Sequence, residues 1–181
     1  MPELRKDPIT GTWVIISEER KQRPRYYKIV VDQDLSSPEN CPFCPGNEPM
    51  TPPETFALRP GHSPANGPGW DLRVVPNKFP ALRIEGQLRK SGEGFYDRIS
   101  GIGAHEVLIE TPRHGQTWFD GDAAAIRNTL LAARSRVLDL KRDVRFKYIM
   151  VFKNFGPTAG ATLSHSHTQL IALPVVPLRV Q

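Results

Sequence analysis

The chain has 181 residues, with 24 Lys and Arg against 19 Asp and Glu, a formal charge of +5 at pH 7. Its 39% hydrophobic and 24% charged residues are typical of a globular protein with one ordinary core, which excludes disorder as a global description. No stretch reaches the roughly 20 apolar residues of a membrane helix, and the basic residues are scattered instead of forming the aromatic-interleaved patch of a nucleic-acid reader.

The N-terminal stretch lacks the apolar core of a secretory signal, so a cytoplasmic location is expected. Residues 12–17 are rich in β-branched and aromatic side chains after a Thr-Gly turn and predict a strand. A charged loop follows, closed by Pro24. Residues 32–70 are dense in Pro, Gly, Ser and Asn, which is too long for a plain connection and predicts a functional or metal-pinned loop.

That loop carries both cysteines, as Cys41-Pro-Phe-Cys44. The spacing reads as a metal or redox pair, and the helix that follows a thioredoxin-type CxxC is missing, which favours metal. His62 sits in the same Pro/Gly loop and is expected to be exposed. Residues 72–76 and 105–111 predict two further strands, with a Gly-rich mobile stretch between them at 86–103. His105 is a rival metal ligand, but its place in an apolar strand suggests a core or hydrogen-bonded histidine.

From 120 to 143 the period changes. Ile126, Leu130, Ala133, Val137 and Leu140 recur at steps of four and three, the stripe of a helix face, with Arg127 and Arg134 outside it. Asp120 or Asp122 would supply the N-cap. Residues 146–153 and 167–173 predict two buried strands joined by the loop 154–164. The fold class expected is α+β, a largely antiparallel sheet carrying one long helix, in a single domain over residues 1–181.

Chemistry concentrates in the segment from Asn154 to Gln169, which ends His165-Ser-His167-Thr-Gln169. Alternate residues on a strand share a face, so His165, His167 and Gln169 would point the same way, with Cα atoms roughly 6–7 Å apart. Three polar groups facing together just before an apolar run are costly unless they bind something.

This motif, preceded by an Asn-x-Gly turn, resembles the active-site signature of the galactose-1-phosphate uridylyltransferase family, within the histidine-triad superfamily. The opening from Glu3 through Thr-Gly-Thr-Trp13 is similar to that family's start. Arg20-Lys-Gln-Arg23-Pro24 resembles its RxxRP loop, Cys41-Pro-Phe-Cys44 its zinc knuckle, the stretch from Val75 to Leu82 its nucleotide-pocket strand, and the stretch from His105 to His114 the segment that brings in another metal ligand.

The resemblance implies a histidine-triad-like fold with a zinc-pinned loop. It also implies a structural Zn²⁺ held by Cys41, Cys44, His114 and His165, with no organic cofactor. It makes His167 the nucleophile that attacks a nucleotide α-phosphorus, with Gln169 donating to a phosphoryl oxygen. Arg20 and Arg23 would neutralise phosphates, Asn77 and Asn154 would contact base, ribose or phosphate, and Gly160 and Thr162 would line the phosphate path. Gln169 in place of a histidine marks the transferase branch over the hydrolases.

The implied activity is ping-pong transfer between a nucleotide sugar and a hexose 1-phosphate, UDP-glucose and galactose 1-phosphate first, as in galactose metabolism. Ser166 and Thr168 replace the familiar Pro and Gly of the motif, and relatives with such variants include adenylyl-transferring ADP-glucose phosphorylases. Family members carry two similar halves and pair as homodimers, and this chain matches the N-terminal half. Alternatives are nucleotide hydrolysis by a histidine-triad-like domain, which Gln169 speaks against, a non-catalytic, zinc-stabilised nucleotide-binding module, and a general nucleic-acid-binding zinc protein.

Overall fold

The computed structural model describes residues 2–18, 20 and 37–181. Nine strands and one α-helix are described: β1 (Glu3–Lys6), β2 (Trp13–Ile16), β3 (Phe56–Leu58), β4 (Leu72–Pro76), β5 (Lys90–Glu93), β6 (Tyr96–Ser100), β7 (Ala104–Ile109), α1 (Ala123–Leu140), β8 (Tyr148–Phe152) and β9 (His167–Leu173). They form two sheets, both antiparallel: one of five strands in the order β3-β4-β7-β9-β8, one of four in the order β2-β1-β6-β5.

The alternation of β9 explains the layering. Leu170 and Ala172 face one way and join Leu72, Val74, Ala104 and Leu108 under the helix residues Ala132, Ala133 and Leu140. Ile171 and Leu173 face the other way, into a cluster with Leu4 and Ile99 of the smaller sheet. His167 and Gln169 fall on that second face by the same period. The helix therefore covers one side of the large sheet, and the smaller sheet covers part of the other.

Helix α1 begins at Asp122, whose carboxylate accepts the Ala125 N–H at 2.7 Å, one of the two caps expected. Its inward face differs from the expected stripe at one position. Thr129 is buried, with its hydroxyl donating to the Ala125 carbonyl at 3.1 Å, and Leu130 is 58% exposed. The buried positions Ala132 and Ala133 are small, which lets the helix lie close to the sheet. Arg136 then reaches the buried Glu106 on β7 with two 2.8 Å bonds.

Three other expectations are corrected. Residues 86–103 are not one mobile stretch but contain the β5–β6 hairpin, which turns at Gly94 with φ +59°. The strand at 148–152 is an edge strand whose Met150 and Val151 are 39% and 42% exposed, because among the described residues only β9 pairs with it. The loop at 32–70 contains a short strand, β3, at the other edge of the large sheet. At Gly103 a Cβ would lie 2.4 Å from the Ala172 carbonyl oxygen, so this link between the sheets passes too close to β9 for any side chain.

Candidate active site and metal centre

Cys41, Cys44, His114 and His165 come from three separate segments, and one ligand atom from each lies within 4.8 Å of all the others. His165 Nδ1 is 3.6 Å from Cys41 Sγ and 3.5 Å from Cys44 Sγ, and His114 Nδ1 is 3.2 Å from Cys44 Sγ. A tetrahedron with Zn–S near 2.3 Å and Zn–N near 2.0–2.1 Å has a sulfur–nitrogen edge of about 3.6 Å. The four residues fit such an ion.

The other ring nitrogens are engaged as a metal ligand requires. His165 Nε2 donates to the Thr111 carbonyl at 2.8 Å, which leaves the Nδ1 lone pair directed at the sulfurs. His114 Nε2 is 3.3 Å from Ser164 Oγ. Burial holds the His165 ring down at about 4, so it is neutral at pH 7. Burial also pushes the Cys44 thiol up to about 12, with Cys41 beside it adding to the shift, and raises Cys41 as well. Two thiols this reluctant to ionise become thiolates only against a cation. With four protein ligands, the site would have no open position for an activated water; its role would be to tie the cysteine loop to β9.

His167 opens β9, paired with Ile109, and is half-buried. Its Nδ1 lies 2.8 Å from the His165 carbonyl oxygen. A carbonyl can only accept, so Nδ1 carries the proton, and in the neutral ring the lone pair is on Nε2. Phe43, from within the CxxC, meets the His167 ring edge-on at 5.3 Å and the His165 ring at 6.1 Å. Gln169 follows on the same face and is buried. Its Oε1 lies 3.0 Å from His105 Nε2.

The remaining expected site residues are distributed as follows. Asn77 follows β4, half-buried, with its N–H donating to the His105 carbonyl at 2.8 Å. Arg20 Nη1 donates to the Phe79 carbonyl at 3.3 Å, which brings it to the segment carrying Asn77. Arg23 lies outside the described residues. Asn154, Gly160 and Thr162 belong to the connection between β8 and β9; Gly160 is exposed with φ +77°, and Leu163 packs this loop onto the cluster of Cys41, Phe43 and Cys44. His62 is exposed, as expected, with φ 52°.

Sequence reasoning missed one group. Glu110, 5% exposed, accepts from Lys153 Nζ at 2.8 and 2.9 Å, from Ser166 Oγ at 2.6 Å and from the Thr168 hydroxyl. Lys153 also reaches the His167 carbonyl at 3.3 Å. The two hydroxyls that replace Pro and Gly in the motif therefore hold a buried carboxylate behind the histidine strand. The signal in the sequence was the pair of departures itself, whose partner just after β7 only the strand register supplies.

A family model described as the N-terminal domain of a domain of unknown function, DUF4931, matches residues 99–176. An ADP-glucose phosphorylase of Arabidopsis thaliana is 42% identical over 179 residues, covering 97% of this chain and 50% of the relative. A galactose-1-phosphate uridylyltransferase of Thermotoga maritima is 28% identical over 182 residues, covering 100% of this chain and 49% of the relative. A crystal structure of an Arabidopsis thaliana ADP-glucose phosphorylase with bound ADP-glucose superposes with a TM-score of 0.65 at 39% identity, covering 99% of this chain and 51% of that one. The chain spans about half the length of the curated relatives it matches.

Proposed function

Since the chain belongs to the galactose-1-phosphate uridylyltransferase family and matches the N-terminal half of its members, we propose that it carries the nucleotidylation site of a sugar-phosphate nucleotidyltransferase. The Nε2 lone pair of His167 forms a bond to the α-phosphorus of a nucleotide sugar while the bond from that phosphorus to the bridging oxygen breaks. The sugar 1-phosphate leaves with the electron pair. An oxygen of an acceptor phosphate then attacks the same phosphorus, and the pair in the P–N bond returns to Nε2.

The observation that carries this reading is the 2.8 Å contact from His167 Nδ1 to the His165 carbonyl, which selects the tautomer whose Nε2 holds the lone pair when the ring is neutral. The sugar phosphate is a good leaving group, so no strong acid is required. Gln169 donates to a phosphoryl oxygen, Arg20 and Arg23 offset phosphate charge, Asn77 and Asn154 contact the nucleotide, and Gly160 and Thr162 border its phosphates. A bound zinc ion would hold the cysteine loop, and with it Phe43, against the nucleophile.

Two donors are in play. UDP-glucose, with galactose 1-phosphate as acceptor, follows from the motif as a whole. ADP-glucose is favoured by the 42% identity to an ADP-glucose phosphorylase, against 28% to a uridylyltransferase, and by Ser166 and Thr168. In either case the reading takes residues 1–181 as one domain, with the acceptor site completed in a homodimer. Intact-mass measurement after mixing with each nucleotide sugar tests the reading. A uridylyl or adenylyl adduct on His167 identifies both class and base; absence of any adduct with both would refute the transfer.

A further inference from the structure

We propose that His105 is a positioning residue that fixes which end of the Gln169 amide faces the phosphate. The inference rests on the transfer reading above and adds a residue to it. His105 on β7 pairs with Ile171, and Gln169 on β9 pairs with Val107, so the two are diagonal neighbours on one sheet face. Both are buried, at 6% and 9% exposure.

The direction of each hydrogen bond follows from one donor that has no choice. The Ala81 N–H donates to His105 Nδ1 at 3.1 Å, so that nitrogen holds the lone pair and the proton of the neutral ring is on Nε2. The Nε2–H then donates to Gln169 Oε1 at 3.0 Å. With its oxygen so engaged, the amide must direct its NH2 elsewhere, and the NH2 is the end that can donate to a phosphoryl oxygen.

Asn77 Nδ2 also lies 3.3 Å from His105 Nε2, but the Asn77 oxygen is tied to the Phe79 N–H at 2.9 Å. Asn77 therefore turns a donor toward a ring nitrogen that already carries a proton; this contact is not a hydrogen bond, and the ring proton goes to the Gln169 oxygen. Turning the Gln169 amide over would exchange the oxygen at 3.0 Å for a second NH2 beside the imidazole N–H, in a buried site where Asn77 already presents one. His105 also accepts the Asn77 N–H on its carbonyl at 2.8 Å. One residue thus fastens the segment from Asn77 to Ala81 to the sheet and sets the orientation of Gln169.

The test has two readouts. In single-turnover adduct formation, followed by intact mass with ADP-glucose and UDP-glucose, His105→Leu should slow the step by about ten- to a hundredfold, with the apparent dissociation constant for the nucleotide sugar little changed. His105→Gln, which keeps an N–H at the corresponding position, should recover most of the rate. A His105→Leu protein reacting at the parent rate would overturn the proposal. Independently of activity, the ¹⁵N spectrum of the His105 ring in the unliganded parent protein should show Nε2 protonated and Nδ1 not; the opposite tautomer overturns it. If the parent chain forms no adduct, the transfer reading fails, while the tautomer still decides the orientation of Gln169.

Discussion

The backbone carbonyl of His165 accepts the Nδ1 proton of His167 at 2.8 Å, while the His165 ring faces Cys41 and Cys44 at 3.6 and 3.5 Å. One residue therefore supplies a candidate metal ligand with its side chain and the tautomer of the candidate nucleophile with its main chain. On this basis His167→Ala should abolish the nucleotidyl adduct and leave nucleotide-sugar binding largely intact. An adduct persisting on His167→Ala would place the nucleophile elsewhere.

The metal should couple to stability. A ligand present at about a hundred times its dissociation constant adds roughly 2.7 kcal/mol, and a domain of this size gains roughly 2–4 °C of melting temperature per kcal/mol. For a protein carrying an ion in this site, removing it by chelation, or Cys41→Ser, should therefore lower Tm by about 5–11 °C, measured by calorimetry beside metal content. Unchanged Tm after confirmed metal loss would deny the ion a structural role.

Metal uptake should also release protons. Burial holds the Cys44 thiol at about 12 and raises Cys41, so at neutral pH both are protonated without the ion. The His165 ring, held at about 4, has no proton to give up at that pH. Each cysteine must therefore lose one proton on binding, and apparent affinity should rise as pH rises through the neutral range. Titration calorimetry in buffers of different ionisation enthalpy counts the protons; a count of zero would mean that the thiols were already ionised.

The ion pair behind the histidine strand is costly to break from one side. Lys153→Met strands the Glu110 carboxylate, whose side chain is 4% exposed, with only the hydroxyls of Ser166 and Thr168. Loss of one partner of a buried pair costs about 3–5 kcal/mol, and the 19% exposure of Lys153 puts this case near the lower end. Glu110→Gln in the same protein should restore part of the loss. Urea unfolding of the two single variants and the double variant gives the coupling; simple additivity would show that the pair is not acting as a unit.

Local chemistry was readable in the sequence wherever one element carried it. The spacing of His167 and Gln169 put both on one strand face, the pair Cys41 and Cys44 announced a metal or redox site, and the choice of Asp120 or Asp122 included the cap that forms. These follow from strand and helix periods and from turn chemistry, which act over a few residues. The resemblance to a known family added His114 and the nucleophile's role, which spacing by itself did not provide.

What needed the tertiary structure was every relation across the chain. His105 meets Gln169 across 64 residues, and Glu110 meets Ser166 across 56. Neither pairing can be read before β7 and β9 are known to be neighbours in a given register, because a shift of one residue would send these side chains to the opposite face. The burial of Thr129 in place of Leu130 has the same origin: two alanines let the helix approach the sheet closely, and the face it turns inward is chosen by that contact and by the Arg136–Glu106 pair. Periodicity determines which side chains share a face. The packing of distant strands determines what that face touches.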